Sequence, residues 1–122
     1  MSWNGSITDA ALDNADFRRV LSTGPHAQLV VMRIPAGEEI GEEVHDDVDQ
    51  VIAIVDGSGE AVLDDVPTQI DGGDLVLVPA GTKHNVRNVG TGDLKLYTVY
   101  APPEHPDGTV HRTRAEADAA EH

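Results

Sequence analysis

Two stretches of the chain carry side chains that could ligate a metal ion. Glu43 and His45 lie two residues apart, so on an extended strand their side chains would share one face. Gln50 begins the next apolar run, and His84 opens a run that follows a tight turn. Two imidazoles, one carboxylate and one amide oxygen form a plausible ligand set for a first-row divalent metal. Such a set leaves one or two coordination positions open for water or substrate.

The chemistry of the chain is limited by its lack of cysteine. This excludes disulfides, thiolate metal sites, iron–sulfur clusters and cysteine nucleophiles, so any metal must be held by nitrogen and oxygen. No nucleophile motif competes with the metal hypothesis. Ser58 lies in the turn sequence DGSGE and not in a G-x-S-x-G elbow.

Short apolar runs rich in β-branched residues must position the candidate ligands. Valine is the commonest residue, with 15 copies, and Val, Ile and Thr suit a pleated surface. Turn signals containing Gly, Pro or Asp separate the runs. The pattern therefore predicts an all-β sandwich or barrel. The predicted strands cover residues 28–34, 50–55, 60–63, 74–78, 84–89 and 94–100.

The two ends differ from this middle region. We expect residues 13–21 to form a short helix or an irregular lead-in. Residues 113–121 are expected to form a helix that begins at Thr113, with Glu116 as its capping-box partner. Neither end has enough apolar residues for a core of its own, so the chain is one domain. Its predicted parts are a lead-in over 1–27, a barrel over 28–103 and a tail over 104–122.

The formal net charge of −14, from 22 acidic and 8 basic residues, bears on partners and location. So acidic a surface repels phosphate backbones and anionic membranes, which argues against nucleic-acid binding. No apolar run approaches the ~20 residues of a membrane span, and the N-terminus lacks a signal-peptide pattern. We therefore predict a cytoplasmic protein. Abundant Asp with only two Lys favours a halophilic, salt-adapted protein, with an ordinary acidic protein as the alternative.

The candidate ligands fall within two sequence motifs that resemble those of the cupin superfamily. The second cupin motif, G(X)5PXG(X)2H(X)3N, is matched at every fixed position. The matching residues are Gly73, Pro79, Gly81, His84 and Asn88. The first motif, G(X)5HXH(X)3-4E(X)6G, is matched in its spacing from Gly37 to Gly57. Glu43 stands where its first His is expected and Gln50 where its Glu is expected, while His45 is retained.

The resemblance implies a double-stranded β-helix jelly roll with short terminal segments and a metal inside one mouth. The implied ligands of a divalent transition metal (Zn, Mn, Fe or Ni) are Glu43, His45, Gln50 and His84. Exchanging a His for Glu and the Glu for Gln keeps one carboxylate in the set. Because the formal charge of the ligand set is unchanged, this exchange favours a retained metal site.

The similarity extends over about residues 17–114, to small prokaryotic cupins described as mannose-6-phosphate-isomerase-like. It implies a metal-dependent enzyme that acts on a sugar or a small oxygenated metabolite, with isomerase and oxygenase chemistry both open. One alternative is a non-catalytic module that binds or senses a metal or small ligand, and another is a metal-free structural cupin. The sequence identifies no general base.

Alternation along the second predicted strand divides its residues between two faces. Gln50, Ile52 and Ile54 are expected to face the barrel interior. The residues expected on the outer face are all apolar: Val51, Ala53 and Val55. An apolar outer face needs cover, and a second copy of the chain would supply it. We therefore predict a homodimer.

Several polar residues near the motifs have less certain roles. Tyr100, His105 and His111 belong to a Pro-rich tail that could fold over the barrel mouth, although an ordered surface loop or dimer contact is favoured. Asp46, Asp47 and Asp49 are expected to remain in solvent. Of these three, Asp49 is an alternative candidate for orienting a ligand imidazole.

Overall fold

The computed structural model describes residues 2–120, so Glu121 and His122 lie outside the described residues. Short strands dominate this range, and the named strand pairs are antiparallel, which confirms the all-β prediction. The elements in chain order are α1 (Ile7–Asp13), β1 (Arg18–Thr23), β2 (Gln28–Ile34), β3 (Asp49–Asp56), β4 (Ser58–Leu63), β5 (Val66–Asp71), β6 (Leu75–Val78), β7 (His84–Arg87), β8 (Leu94–Ala101), β9 (Val110–His111) and α2 (Arg114–Ala120).

The strands form two sheets that face each other across the core. The larger sheet has the order β6-β3-β8-β2-β1-β9 and the smaller has the order β5-β4-β7. Glu39 and Glu43 form isolated bridges with Arg87 and His84, so the segment before β3 extends the smaller sheet beside β7. This architecture is the predicted double-stranded β-helix jelly roll.

The core between the sheets is mostly aliphatic, and the strands contribute to it through their inward-facing residues. On β8 every second residue from Leu94 to Tyr100 is buried. On β3 the side chains of Gln50, Ile52 and Ile54 are buried, as predicted. Each fully buried Leu, Ile or Val contributes roughly 1.5–3 kcal/mol through the hydrophobic effect. A rigid interior of this kind can hold polar side chains in a fixed arrangement at one end.

The N-terminal region differs from the prediction for residues 13–21. The helix lies earlier, over Ile7–Asp13, where the Ser6 hydroxyl caps it by accepting a hydrogen bond from the Asp9 amide at 3.2 Å. Residues 18–23 form β1, which pairs with β2. Pairing with β2, the next strand, and with β9 near the other end of the chain therefore decides the conformation, which the local sequence does not reveal. β5 and β9 were also not predicted, since β5 is largely exposed and β9 has two residues.

Helix α1 lies on the outer face of the larger sheet, where it contacts β2, β3 and β8. Ala11 of the helix is fully buried, and Ala53 on the outer face of β3 is only 6% exposed. The helix therefore supplies part of the cover that the outer apolar residues need. None of the described helices is long and apolar enough to cross a membrane.

Helix α2 begins where the capping residues predicted it. The Thr113 hydroxyl accepts a hydrogen bond from the Glu116 amide at 3.2 Å. The Glu116 carboxylate accepts a hydrogen bond from the Arg112 amide, one residue before the position that a capping box uses. Ala117 packs into the core and fixes the helix against the barrel.

Candidate metal centre

The backbone brings the two motifs together before any side chain is considered. Glu43 and His84 exchange two backbone hydrogen bonds, each of 2.9 Å from N to O. The amide of Gly81 donates to the carbonyl of His45 at 2.8 Å, which joins the turn before β7 to the same segment. Directly paired residues place their side chains on one face of a sheet. The pairing therefore sets the Glu43 carboxylate beside the His84 imidazole.

Three side chains converge at this point of the barrel. Ligand atoms of Glu43, His45 and His84 all lie within 4.8 Å of one another, so they could hold one metal ion. The His45 and His84 ring centroids are 5.3 Å apart. His84 is buried, whereas the side chains of Glu43 and His45 are 24% and 13% exposed. The three groups thus form a largely enclosed site with limited access to solvent.

The hydrogen bonds of His84 leave one ring nitrogen available to a metal. Its Nδ1 lies 2.9 Å from the Thr82 carbonyl oxygen, two residues earlier in the chain. A carbonyl can only accept, so this contact assigns the proton of the neutral imidazole to Nδ1. The lone pair of the neutral ring then lies on Nε2, which is the form that a metal requires.

His45 lies between two carboxylates. Its Nε2 is 2.8 Å from Oε2 of Glu43, and its Nδ1 is 3.3 Å from Oε1 of Glu104. The contact with Glu43 raises the pKa of His45, against the opposing effect of burial, and Glu104 raises it further. Burial alone would raise the pKa of Glu43, but His45, Arg18 and His84 together hold it below its usual value. The carboxylate of Glu43 is therefore ionised at neutral pH.

Gln50 is fixed on β3 with one amide atom unused. Its Nε2 donates to the Thr98 hydroxyl at 3.0 Å. Its Oε1 is buried and accepts no hydrogen bond from any described residue. An unsatisfied buried polar atom costs roughly 1–3 kcal/mol. A buried amide oxygen of this kind on a candidate ligand is available to a metal ion.

Other polar side chains surround the three converging ligands. Arg18 on β1 is 2% exposed and acts electrostatically on Glu43, Tyr100 and His105. Burial raises the pKa of Tyr100, so its hydroxyl keeps its proton at neutral pH. The His105 ring lies edge-on to Tyr100, with the centroids 5.1 Å apart. Burial, followed by Arg18, lowers the pKa of His105 to about 4, so this imidazole is neutral.

The sequence-based candidates are therefore placed as follows. Glu43, His45 and His84 are brought together, and Gln50 lies on β3 with its free oxygen in the buried interior. The side chain of Asp49 accepts a hydrogen bond from the Ala80 amide at 2.8 Å, where it supports the turn before β7. The carboxylate that approaches the outer nitrogen of His45 comes from Glu104 instead, a residue that the sequence analysis did not consider.

Sequence analysis also missed Arg18, and no local signal identifies it. It lies on β1, which was not predicted as a strand, and its neighbours at the site are distant in the chain. His105 was noted only as part of a tail that could fold over the mouth. The contacts of Glu104 with His45 and of His105 with Tyr100 place residues 104 and 105 beside the candidate site.

Comparisons with known proteins show which family the chain belongs to. A Cupin domain family model matches residues 30–100. The chain is 43% identical to protein YrkC of Bacillus subtilis over 95% of this chain and 66% of the relative, just under two thirds of its length. It is 37% identical to protein L612 of Acanthamoeba polyphaga mimivirus, over 92% of this chain and 72% of that protein.

A solved structure with a very similar fold is the crystal structure of BH2720 from Bacillus halodurans. It is 42% identical to the chain and superposes with a TM-score of 0.96, over 98% of this chain and 95% of BH2720. The matched family model covers more than half of the chain, including Glu43, His45, Gln50 and His84. The chain therefore belongs to the cupin family.

Proposed function

We propose that the protein is a divalent-metal-dependent enzyme that acts on a sugar or another small oxygenated metabolite. Its proposed metal ligands are Glu43, His45, Gln50 and His84. The observation that carries this proposal is the convergence of three ligand atoms within 4.8 Å. Nitrogen and oxygen donors without sulfur suit Zn, Mn, Fe or Ni.

A bound metal would supply Lewis-acid chemistry and polarise a carbonyl or enolate oxygen. The chain's own residues would prepare the site in other ways. Glu43 contributes one negative charge, and the contact between His84 and Thr82 directs a lone pair inward. Tyr100 keeps its hydroxyl proton, and the buried cation of Arg18 lowers the pKa of Glu43. The neutral imidazole of His105 is a candidate proton acceptor, a group that the sequence alone did not identify.

The metal assignment is tested by elemental analysis of protein purified without added metal. We expect close to one transition-metal ion per chain in the wild type. His84→Ala and Gln50→Ala should lower the bound metal, because each removes one proposed ligand. His26→Ala is the matched control, since His26 is exposed and lies outside both motifs. Equal, substoichiometric metal in the wild type and His84→Ala would contradict the assignment.

The reaction is tested with metal-loaded protein against sugars, for isomerisation, and enolisable diketones, for oxygenation. We expect turnover in one class and its loss in His84→Ala. Flat progress curves in both classes, together with measurable ligand binding, would instead favour the non-catalytic binding or sensing module.

The mannose-6-phosphate-isomerase-like relationship and the cytoplasmic location stay predictions.

We also propose that the protein is a homodimer that buries the outer face of β6. Leu75 and Leu77 on this strand are 65% and 60% exposed. β6 is the edge of the larger sheet, and Leu77 is in register with the half-buried Val51 of β3. Exposed leucines on an edge strand favour association with a second copy, which would cover the apolar patch and protect the edge.

The dimer is tested by size-exclusion chromatography with light scattering. We expect twice the chain mass for the wild type and a single chain mass for the double variant Leu75→Glu and Leu77→Glu. Val66→Glu is the matched control, because Val66 is 62% exposed but lies on β5 in the other sheet. A monomeric wild type, or a double variant that stays dimeric, would refute the proposal.

A further inference from the structure

The segment between β8 and β9, residues 102–109, crosses the mouth of the barrel, and we refer to it as the strap. Gln28 holds it in place. Its Nε2 donates to the His105 carbonyl at 2.7 Å, and its Oε1 accepts from the amides of Glu104 and His105 at 3.2 and 3.0 Å. Gln28 is 1% exposed. The strap is therefore anchored through a buried side chain and not only through its own ends.

Gln28 lies in the same row of paired residues as the proposed ligand Gln50. Gln28 on β2 is directly opposite Tyr100 on β8, which in turn is opposite Gln50 on β3. All three side chains are buried and face inward. The hydrogen bonds of Gln28 thus fix the strap relative to the row of residues that contains Gln50.

This anchoring places Glu104 against the outer nitrogen of His45. The Glu104 carboxylate is 3.3 Å from Nδ1 of His45, on the opposite side of the ring from Glu43. The second histidine of the site has a comparable contact from within its own motif, because Nδ1 of His84 faces the Thr82 carbonyl. Among residues 2–120, no neighbour in sequence offers His45 such an acceptor, and its Nδ1 instead faces a carboxylate 59 positions later in the chain.

We propose that Glu104 is a positioning residue for the metal ligand His45. It accepts the Nδ1 proton of the imidazole, orients the ring and leaves Nε2 to bind the ion. An acceptor on the outer nitrogen of a ligating histidine fixes its tautomer and raises its basicity. The proposal rests on the proposed function of Glu43, His45 and His84 as metal ligands. It makes the strap a functional part of the site.

The test compares zinc affinity in wild type, Glu104→Ala and Glu104→Gln at one fixed, mildly alkaline pH. Loss of an acceptor on a ligating histidine weakens metal binding by roughly 10- to 100-fold, and we expect Glu104→Ala to fall in that range. Glu104→Gln keeps an acceptor oxygen and should recover part of the affinity. Asp107→Asn is the matched control, since it removes one charge from an exposed position of the same strap.

A second readout separates positioning from general stabilisation. Proton NMR of the zinc-loaded wild type should show a slowly exchanging Nδ1 proton on His45, which Glu104→Ala should broaden or lose while urea unfolding of the metal-free proteins changes little. Equal zinc affinity in wild type and Glu104→Ala would overturn the role of Glu104 and leave the proposed ligands intact. A wild type that binds no zinc would overturn both.

Discussion

The histidines of this protein show how the environment sets the chemistry of one residue type. Contact with Glu43 raises the pKa of His45, with Glu104 adding to the effect. Burial lowers the pKa of His105 to about 4, although its ring lies near the same group of charges. The two imidazoles therefore favour opposite protonation states within one small region. The carboxylates beside His45 favour a positive charge at this position, which a bound metal ion would supply in place of the proton. His105 remains neutral.

The depressed pKa of His105 predicts a loss of stability in acid. The unfolded chain takes up a proton at this residue near the ordinary pKa of about 6.5, whereas the folded chain does so only near 4. The contribution of neutral His105 to the free energy of unfolding is complete above about pH 6.5 and is lost as the pH falls towards 4. Since the ring retains some exposure, we expect a loss on the order of 1–2 kcal/mol, measured by urea unfolding across this range.

The contribution of His105 is isolated by comparing wild type with His105→Phe. Phenylalanine keeps an aromatic ring against Tyr100 but cannot be protonated, so the variant should lose less stability between pH 6.5 and 4. The charged and titratable groups acting on His105 are Arg18, Glu43, His111 and His45. These groups remain in both proteins. The raised pKa of His45 changes the free energy of unfolding mainly above pH 6.5. Identical acid profiles would show that His105 does not carry the effect.

Among the elements, the turn between β7 and β8 shows that a motif residue can act without touching the site. Asn88 is 3% exposed, and its Nδ2 donates to the carbonyls of Ile34 and Gly92 at 2.7 and 2.8 Å. Its Oδ1 accepts from the Gly90 amide at 3.0 Å. The side chain thus joins the end of β2 to the turn that leads into β8.

Gly57, the last residue of the first motif, has a similarly structural role. Its φ is +97°, and an added Cβ would lie 2.6 Å from the Asp93 carbonyl oxygen. Both the backbone conformation and the close approach require glycine at this position. These residues make the barrel close correctly, while the ligands of the same motifs lie at its mouth.

We expect Asn88→Ala to destabilise the fold by about 2–4 kcal/mol, because it leaves buried backbone groups without partners. Urea unfolding measures this loss. Metal affinity of the folded variant should stay unchanged, since Asn88 does not contribute to the three converging ligands. Thr91→Ala, at an exposed position of the same turn, should change stability by less than about 0.5 kcal/mol. A large loss of metal affinity with little loss of stability would contradict a structural role.

For the whole molecule, part of the charge of −14 lies in the segment that carries Glu43 and His45. Seven acidic residues lie within positions 38–49: Glu38, Glu39, Glu42, Glu43, Asp46, Asp47 and Asp49. Some are matched by cations, since Lys83 lies near Glu42 and Arg87 near Glu39. Most of the remainder are exposed. Repulsion among them opposes folding at low ionic strength.

Salt should therefore stabilise the metal-free protein. Raising NaCl from about 0.1 to 1 M shortens the Debye length from about 10 to 3 Å and screens this repulsion. We expect Tm, measured by differential scanning calorimetry, to rise by several degrees, corresponding to on the order of 1 kcal/mol. KCl should act similarly, because screening does not depend on which monovalent cation is used. An unchanged or falling Tm would argue against the salt-adapted interpretation.

Local patterns in the sequence determined much of the barrel. Alternation of apolar residues predicted β2, β3 and β8 within one or two residues, because a strand with one buried face must repeat with a period of two. Motif spacing identified Glu43, His45 and His84, which the structure brings together. Their role as ligands, and that of Gln50, stays a prediction.

Tertiary structure alone decided what surrounds those residues. β1 is a strand because β2 pairs with it, and Arg18 reaches the site through that pairing. Glu104 contacts His45 because Gln28 anchors the strap at Glu104 and His105. These two residues lie 76 and 77 positions after Gln28 in the chain. Contacts over such separations depend on how the whole chain folds, and no periodic pattern in the local sequence predicts them. The sequence by itself therefore determined the barrel and its candidate ligands, and only the packed fold determined which side chains orient and enclose them.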